Sequence, residues 1–307
     1  MSKIDILLAT YNGAEYIATQ VRSLQSQTFA DWCLLVHDDG STDNTLEILE
    51  LFAKNDNRIR IVNDGKRFHN CALNFMHLLG VSDAPFCIFC DQDDVWLENK
   101  LQVMYDAILS KDNTQPQAVY SNSFVYNPDV PTIGGSASLC LPTCVKDVLF
   151  MNAGIQGCAL MFNAALRSIC RNVPKVVAMH DHVVTLAAAT FGTLTYVDRH
   201  LMLYRRHEKA VTGPTAKRLT DRIAPFFDST KTVLDKKHYA AIQSFIETYN
   251  LLISDKDKAI FLDFLRFEKE GRIRRALHVF AKGYKLYGRS SILAFKMLVR
   301  NLVTVKK

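Results

Sequence analysis

A short apolar run, Phe86–Cys90, is followed at once by three carboxylates within four positions, in the order Asp91-Gln92-Asp93-Asp94. A buried strand that ends in clustered Asp side chains brings like charges together, which is unfavourable unless a cation or hydrogen-bond donors neutralise them. Carboxylate oxygens are ligands that suit Mg²⁺ and Mn²⁺, which in turn bridge nucleotide phosphates. Asp91 and Asp93 therefore predict a D-x-D metal–diphosphate site, although a simple turn after a strand can give the same short pattern.

Two earlier strands end in polar loops of a kind that can hold a nucleoside. Residues 3–9 form an apolar run before Thr10-Tyr11-Asn12-Gly13, and residues 32–37 run into Asp38-Asp39-Gly40-Ser41. Ligands of open α/β sheets bind at the carboxyl ends of the strands, so we expect both loops beside the D-x-D segment. Asp39 could instead be only a turn residue. The sequence contains neither a G-x-G-x-x-G fingerprint nor a P-loop, so neither of those nucleotide sites is indicated.

Strand and helix patterns alternate along the chain to about Phe124. The predicted strands cover residues 3–9, 32–37, 58–63 and 86–90, and the predicted helices cover residues 14–27, 45–54, 70–79 and 97–110. This alternation is typical of an α/β fold with a mostly parallel central sheet flanked by helices. Residues 126–142, which contain Pro, Gly and Ser, are predicted to form a long loop.

A carboxylate flanked by two histidines precedes the apolar helical stretch 183–191, in the order His180-Asp181-His182. Such a carboxylate can act as a general base. It is also favoured at the start of a helix, where it would serve only as a cap. Spacing alone leaves both roles open for Asp181, with His180 and His182 as rival bases.

Basic side chains lie near two other predicted strands. Arg206 and His207 follow the strand-like run 196–203, and cationic groups there could reach a diphosphate or simply form a solvated turn. Lys66 follows the predicted strand 58–63 and could approach a base or diphosphate, although a surface position is the simpler interpretation.

Three segments resemble, in their order and spacing, the donor half of family 2 glycosyltransferases with the GT-A fold: ATYNG (9–13), HDDGSTDNT (37–45) and FCDQDDVW (89–96). Three later segments resemble the rhamnosyltransferase-like branch of that family: IQGCALMFN (155–163), MHDHVVTLAAATFG (179–192) and LMLYRRHEKAVTG (201–213). The resemblance covers about the first two-thirds of the chain, and the combination is far more specific than any one motif. It implies inverting transfer of a sugar from a nucleoside diphosphate to an acceptor hydroxyl, assisted by Mg²⁺ or Mn²⁺.

The resemblance also implies roles for individual residues. It assigns the donor nucleotide to Thr10 and Asp39, with Tyr11 and Asn12 beside them, and to Asp91. It gives metal contacts to Asp93 and His207 and the catalytic base to Asp181. Gln156 and Gly157 match a segment that lines the acceptor side, where glycine permits close backbone approach. Arg206 departs from the Gln that commonly precedes this histidine in the family, whereas Lys66 and His180 are candidate contacts by position alone.

The same resemblance suggests the partners of the reaction. A dTDP- or UDP-sugar, with rhamnose the first candidate, is the expected donor, and a glycan or lipid-linked hydroxyl of cell-surface polysaccharide synthesis is the expected acceptor. A sugar nucleotidyltransferase is an alternative, but it should carry a Gly-rich basic loop after the first strand, which ATYNGAEY lacks. A catalytically silent carbohydrate- or membrane-binding scaffold is the third hypothesis.

Charge divides the chain into a predicted catalytic domain, residues 1–215, and a basic helical region, residues 216–307. Net charge is −5 in the first and +11 in the second, and from Arg272 onward there are ten basic residues and no acidic one. This region is predicted to lie on an anionic membrane surface or to pack as helices on the catalytic domain. It has no recognised nucleic-acid-binding motif, so nucleic acid is not an expected partner.

Composition predicts an ordinary globular protein, with 49% hydrophobic and 22% charged residues. The sequence has no transmembrane-length apolar run, and a strand is predicted at once from the N-terminus, so we expect a cytoplasmic protein at the inner face of the membrane. Cys87 and Cys90 form a C-x-x-C within a predicted strand, where positions three apart face opposite sides. The eight cysteines are therefore predicted to be small hydrophobes in a reducing compartment.

Overall fold

The structure is a computed structural model that describes residues 2–127, 132–138, 140–150, 154–205 and 231–303. In these ranges nine strands form one sheet in the order β3-β2-β1-β4-β8-β6-β9-β5, with β7 paired to β6. The strands are β1 (Ile4–Thr10), β2 (Trp32–Asp38), β3 (Ile59–Ile61), β4 (Phe86–Cys90), β5 (Val95–Trp96), β6 (Gln117–Asn127), β7 (Thr132–Ser136), β8 (Leu160–Asn163) and β9 (Thr193–Arg205).

The sheet is parallel only in part. Strands β3, β2, β1 and β4 run parallel, as the alternating pattern predicted, and β6 and β9 form a second parallel pair. Between them β8 is antiparallel to both β4 and β6, and β5 is antiparallel to β9. The predicted α/β class is thus confirmed, but the sheet is mixed because a strand from the later half of the chain enters its middle.

The segment 126–142 is not the single long loop expected from its composition. Strand β6 continues to Asn127, and β7 returns antiparallel to it, pairing Ser136 with Phe124 and Ile133 with Tyr126. Glycine has a low strand propensity, so the sequence pattern of β7 did not predict a strand. A Cβ at Gly134 would lie 3.3 Å from the carbonyl oxygen of Val125, so the small residue allows the two strands to approach.

Helices cover both faces of the sheet. They are α1 (Ile17–Gln25), α2 (Thr45–Asn55), α3 (Cys71–Val81), α4 (Lys100–Leu109), α5 (Val145–Val148), α6 (Ala164–Cys170), α7 (His180–Phe191), α8 (Lys236–Tyr249), α9 (Asp255–Arg266), α10 (Arg272–Lys282) and α11 (Ser290–Val299). Local sequence fixes several starts: Asn70 accepts the Leu73 N–H at α3, and Asp235 accepts the His238 N–H at α8. The four helices predicted in the N-terminal half are all present.

Two hydrophobic clusters form the core. Alternation along β1 sends Ile6 and Leu8 to one cluster and Leu7 to the other. Cys87 and Cys90 likewise fall in different clusters, which confirms that the C-x-x-C cysteines face opposite sides of β4. All eight cysteines are free.

The larger cluster is continuous from the predicted catalytic domain into the C-terminal helices. The ring of Phe150 lies 5.1 Å from that of Phe264 and 5.8 Å from that of Tyr284, and His182 of α7 stacks on His238 of α8 at 4.5 Å. The basic region therefore packs through its apolar side on the first 205 residues. No helix in the described ranges combines the length and apolarity that crossing a bilayer requires.

Candidate active site

The carboxyl ends of β1 and β2 are joined by side-chain hydrogen bonds. Thr10 is buried and pairs with Asp38 across the two strands, and its hydroxyl donates to Asp38 Oδ1 at 2.9 Å. The other oxygen of Asp38 accepts the backbone N–H groups of Gly40 and Ser41. These bonds hold the Thr10 and Asp39 loops together, as expected for two neighbouring parallel strands.

Gln92, the middle residue of the D-x-D segment, links that segment to the first loop. Its Oε1 accepts the Tyr11 N–H at 3.0 Å, and its Nε2 donates to the Tyr11 carbonyl at 3.1 Å. A Cβ at Gly13 would stand 2.5 Å from the Gln92 side chain, so this approach requires glycine. Asn12 has φ of +46° and accepts the Thr42 N–H through its side chain. No motif in the sequence marked Gln92 for this role.

Asp39 is buried and accepts two backbone N–H groups, from Phe68 through Oδ1 and from Asn70 through Oδ2. It therefore orders the segment between β3 and α3. Within that segment, Lys66 is turned to Asp64, with Nζ 3.4 Å from its carboxylate, rather than to Asp39. Arg67 lies against the Asp39 loop instead, because a Cβ at Gly40 would be 3.0 Å from its Cδ and Nε.

The D-x-D carboxylates gather at the end of β4. Burial, followed by the charge of Asp93, raises the pKa of Asp91 to about 7, and the charge of Asp181 adds to this. Asp94 is fully turned inward, where Oδ1 accepts the Arg205 N–H at 3.0 Å. Burial and the two neighbouring carboxylates raise the pKa of Asp94 well above its usual range. Without a cation these carboxyls therefore tend to hold protons, and a divalent cation beside them would favour their ionised forms.

A buried lysine behind the cluster compensates part of this charge. Lys100 Nζ donates to the Cys158 carbonyl at 2.7 Å and lies 3.6 Å from the centre of the Trp96 ring. Burial lowers the pKa of Lys100 to about 8, while the nearby carboxylates Asp94 and Asp91 favour its charged form. The sequence pattern placed Lys100 in the predicted helix 97–110 and indicated no role for it at this site.

The donor atoms at this position suit a hard divalent ion. Ligand atoms of Asp91, Asp94 and Cys158 lie within 4.8 Å of one another. Burial, followed by the charges of Asp91 and Asp94, raises the pKa of Cys158 well above its usual range, so its thiol is protonated in the absence of a cation. The carboxylate oxygens of Asp91 and Asp94 fit Mg²⁺ or Mn²⁺, whereas Asp93, the ligand predicted from the D-x-D pattern, is not part of this group.

Asp181 borders the same cluster. Helix α7 has Met179 as its N-cap, so Asp181 is not the N-cap but the second helical residue, where Oδ1 accepts the His182 N–H at 2.7 Å. A Cβ at Gly157 would stand 2.7 Å from His180 Nε2 and 3.2 Å from Asp181 Cβ. Gly157 is thus the point at which the backbone closes on the start of α7, as glycine at this position predicted.

Two side chains that the sequence did not single out lie near predicted site residues. Although Cys71 is exposed as a residue, desolvation of its thiol, followed by the charges of Asp91 and Asp181, raises its pKa to about 12, which places Cys71 near these carboxylates. Ser123 donates to Gln156 Oε1 at 2.8 Å and fixes the amide of that residue.

The two histidines beside Asp181 are poor candidates for a base. His180 stacks on Phe75 at 3.9 Å and meets the Phe89 ring at 4.6 Å, and neither ring nitrogen has a hydrogen-bond partner among the described residues. Burial lowers the pKa of His180 and of His182 to about 3. His182 Nε2 is bonded to the Val148 carbonyl at 3.1 Å, which makes its role one of packing.

A cation stands at the rim of the cluster, at the end of β9. Arg205 Nε donates to the Asp93 carbonyl at 2.7 Å, and its guanidinium lies 4.9 Å from the Tyr16 ring and 5.2 Å from the Tyr126 ring. Arg206 and His207, predicted from the same basic loop, lie outside the described residues.

Comparisons with known proteins agree with this geometry. Residues 5–138 match the model of glycosyl transferase family 2. The chain is 28% identical over 223 residues to the dTDP-rhamnosyl transferase RfbG of Shigella flexneri, which covers 67% of this chain and 73% of that protein. It is 33% identical over 114 residues to a UDP-Glc:alpha-D-GlcNAc-diphosphoundecaprenol beta-1,3-glucosyltransferase of Escherichia coli, covering 34% of this chain and 41% of that protein.

Solved structures share the fold at low identity. Residues 1–349 of TarS from S. aureus, in complex with UDP-GlcNAc, superimpose with a TM-score of 0.57 at 15% identity, covering 96% of this chain and 90% of that one. The mannosyltransferase PcManGT of Pyrobaculum calidifontis, in complex with GDP-Man and Mn²⁺, gives 0.53 at 13% identity, covering 97% and 85%. Residues 5–138 thus match the model of glycosyl transferase family 2, and the chain shares the fold of these solved glycosyltransferases, the GT-A fold that the sequence motifs predicted.

Proposed function

We propose that this protein is an inverting glycosyltransferase that moves a sugar from a nucleoside-diphosphate donor to a hydroxyl of a glycan or lipid-linked acceptor in polysaccharide synthesis. The main support for the proposal is that Asp91, Asp93 and Asp181 lie close together at one edge of the sheet. Their proximity is seen in the pKa of Asp91, which the charges of Asp93 and Asp181 raise in addition to burial. Single displacement needs both a base for the acceptor and a stabilised leaving group, and this cluster offers carboxylates for each.

The donor is assigned to the loops that follow β1, β2 and β4. Thr10, Tyr11, Asn12 and Asp39 lie on loops that hydrogen bonds and Gln92 hold in place, so a nucleoside would meet a preorganised surface. Mg²⁺ or Mn²⁺ held by Asp91 and Asp93 would neutralise charge on the diphosphate leaving group. Arg205 at the rim supplies a fixed positive charge to the same phosphates.

Asp181 is assigned as the general base. It takes the proton of the acceptor hydroxyl while that oxygen bonds to the anomeric carbon and the bond from this carbon to the diphosphate breaks. Its position in the first turn of α7 stabilises the carboxylate form, and the backbone of Gly157 packs closely against it. His180 is packed between Phe75 and Phe89 and resists protonation, which favours Asp181 over its neighbour.

The relative named as a dTDP-rhamnosyl transferase makes dTDP-rhamnose the first donor to test, with UDP-sugars next. The experiment incubates the protein with Mn²⁺, a panel of labelled sugar nucleotides and glycan or lipid-linked acceptors. Release of a nucleoside diphosphate with labelled acceptor supports the proposal. Pyrophosphate formed from a sugar phosphate and a nucleoside triphosphate would instead identify a nucleotidyltransferase, and turnover with no donor would favour a silent scaffold.

We also propose that α10 rests on an anionic membrane surface at the inner face of the cell membrane, where a lipid-linked acceptor would lie. Ile273, Leu277 and Phe280 repeat at helical spacing on one face and are 71%, 66% and 59% exposed. Arg272 and Arg274 flank this stripe and are exposed as well. Apolar side chains can enter a bilayer while neighbouring basic groups meet lipid phosphates.

Substitutions on the exposed face of α10 test this proposal better than deletion of the helix, because α10 also contributes Ala276 and Val279 to the core. Changing Ile273, Leu277 and Phe280 to Ser should release the protein from anionic vesicles in a flotation assay. Leu51→Ser, at an exposed apolar site on α2, is the matched control and should leave binding unchanged. Equal vesicle binding by the triple variant and the wild type would contradict the assignment.

A further inference from the structure

We propose that His37, Asp64 and His77 form a second metal site, built for a zinc-class transition ion and separate from the D-x-D cluster. His37 lies at the end of β2, Asp64 follows β3, and His77 lies in α3. His77 Nε2 is 2.8 Å from Asp64 Oδ2, and His37 Nε2 is 3.4 Å from Asp64 Oδ1. One ligand atom from each of the three residues lies within 4.8 Å of the other two.

The tautomer of His37 is the strongest sign that a cation belongs between these groups. Asn74 Nδ2 donates to the His37 carbonyl, which orients its Oδ1 as the acceptor for His37 Nδ1 at 2.6 Å. With Nδ1 bonded to Asn74, Nε2 is the ring nitrogen of His37 that faces the Asp64 carboxylate. His37 is 1% exposed, and its Nε2 has no hydrogen-bond partner in the described part of the chain. Two facing lone pairs are unfavourable unless a cation or a proton lies between them.

The same bond to Asn74 is the outer-shell partner that a metal-binding histidine normally has. Tetrahedral zinc with bonds of about 2.0–2.1 Å separates neighbouring ligand atoms by roughly 3.3 Å. His77 Nε2 lies 2.8 Å from Asp64 Oδ2 and His37 Nε2 lies 3.4 Å from Asp64 Oδ1, so each imidazole nitrogen is near that separation from one oxygen of the same carboxylate. Two imidazoles and one carboxylate favour zinc-class ions, in contrast to the all-oxygen donors of Asp91 and Asp93. Lys66, 57% exposed and 3.4 Å from Asp64 Oδ2, has room to move away.

Such an ion would stiffen the nucleoside side of the candidate active site. The Phe68 ring packs 5.6 Å from that of His37 and 5.1 Å from that of His77, and its backbone N–H donates to Asp39. A metal that joins His37 and His77 through Asp64 would therefore help to fix the segment whose backbone N–H groups bind Asp39. This structural role does not depend on glycosyl transfer.

The test measures zinc bound per chain, by elemental analysis after dialysis and by titration calorimetry, together with the melting temperature. The wild type should bind one Zn²⁺ at this site and melt at a higher temperature with zinc than with EDTA, because an ion that binds only the folded state stabilises it. His77→Gln should weaken that binding at least tenfold and abolish the shift. Asp64→Asn should do the same, and it decides the matter if His77→Gln does not fold.

Two control variants locate the ion. His278 bonds Asp263 and Glu270 through its two ring nitrogens and offers no vacant ligand atom, so zinc binding should be retained in His278→Gln. Asp93→Ala should also retain it. Zinc binding that survives both His77→Gln and Asp64→Asn, binding lost in Asp93→Ala, or no zinc bound to the wild type would each overturn the proposal, whatever the outcome of the transfer assay.

Discussion

Replacing Gly157 with Ala should slow glycosyl transfer by disturbing the start of α7. The added Cβ would stand 2.7 Å from His180 Nε2, which is 0.7 Å short of the 3.4 Å at which ordinary contacts begin. His180 cannot retreat freely, because Phe75 and Phe89 hold its ring. Since Asp181 is the next residue, the displacement reaches the proposed base. Overpacking of this kind costs about 1–3 kcal/mol, and a misplacement of about 1 Å can slow a reaction about 100-fold.

We therefore predict a loss of kcat of roughly tenfold to hundredfold for Gly157→Ala, with a smaller effect on nucleoside-diphosphate affinity. The assay compares initial rates of nucleoside-diphosphate release, normalised to folded protein. Gly80→Ala is the matched control, because a Cβ at this helical position meets no atom within 4 Å, and its stability should rise by up to about 1 kcal/mol. Gly157→Ala with wild-type kcat and wild-type stability would refute the proposed packing of Gly157 against Asp181.

Three further predictions follow from single contacts. Asp181→Asn keeps the side-chain size and should reduce turnover about 100-fold or more, while donor affinity and melting temperature change little. If the Asp181→Asn variant keeps its activity, Asp181 is not the base. Arg205→Gln should weaken nucleoside-diphosphate binding about tenfold in calorimetry, by loss of a charged hydrogen bond, whereas Arg205→Lys should lose less. Burial lowers the pKa of His182 from 6.5 to about 3, so the unfolded chain binds more protons in this interval and stability falls as pH drops below 6.5. At pH 5 the penalty from His182 is about 2 kcal/mol. In urea titrations His182→Gln should remove this share of the slope and leave the similar share of His180.

Local sequence was sufficient to predict the parts of the site that depend on neighbouring residues. Strand ends at Thr10, Asp39 and Asp91 follow from apolar runs that stop at polar residues, and parallel pairing brings such ends to one edge. The position of Asp181 near a helix start was also predictable, because the apolar helical stretch 183–191 follows it closely. Helix α7 begins at His180, so Asp181 does lie in its first turn.

Contacts between distant segments could not be predicted in the same way. The pairing of Tyr11 with Gln92 spans 81 residues, and that of Lys100 with Cys158 spans 58. Likewise, the position of β8 between β4 and β6, antiparallel to both, is set by tertiary contacts that strand propensity does not predict. For the C-terminal region, charge alone could not distinguish a membrane anchor from packed helices. The structure has both an apolar side in the core and an exposed stripe on α10.

The most direct test of the central claim compares the wild type with Asp93→Asn, a substitution that keeps the side-chain size and removes its charge. Both proteins are incubated with dTDP-rhamnose and UDP-sugars, with Mn²⁺ or with EDTA, and the released nucleoside diphosphate is measured. We predict release by the wild type only in Mn²⁺, and loss of nearly all of it in Asp93→Asn. Full activity of the wild type in EDTA, or of Asp93→Asn in Mn²⁺, would contradict the account of Asp91 and Asp93 as the metal–diphosphate site.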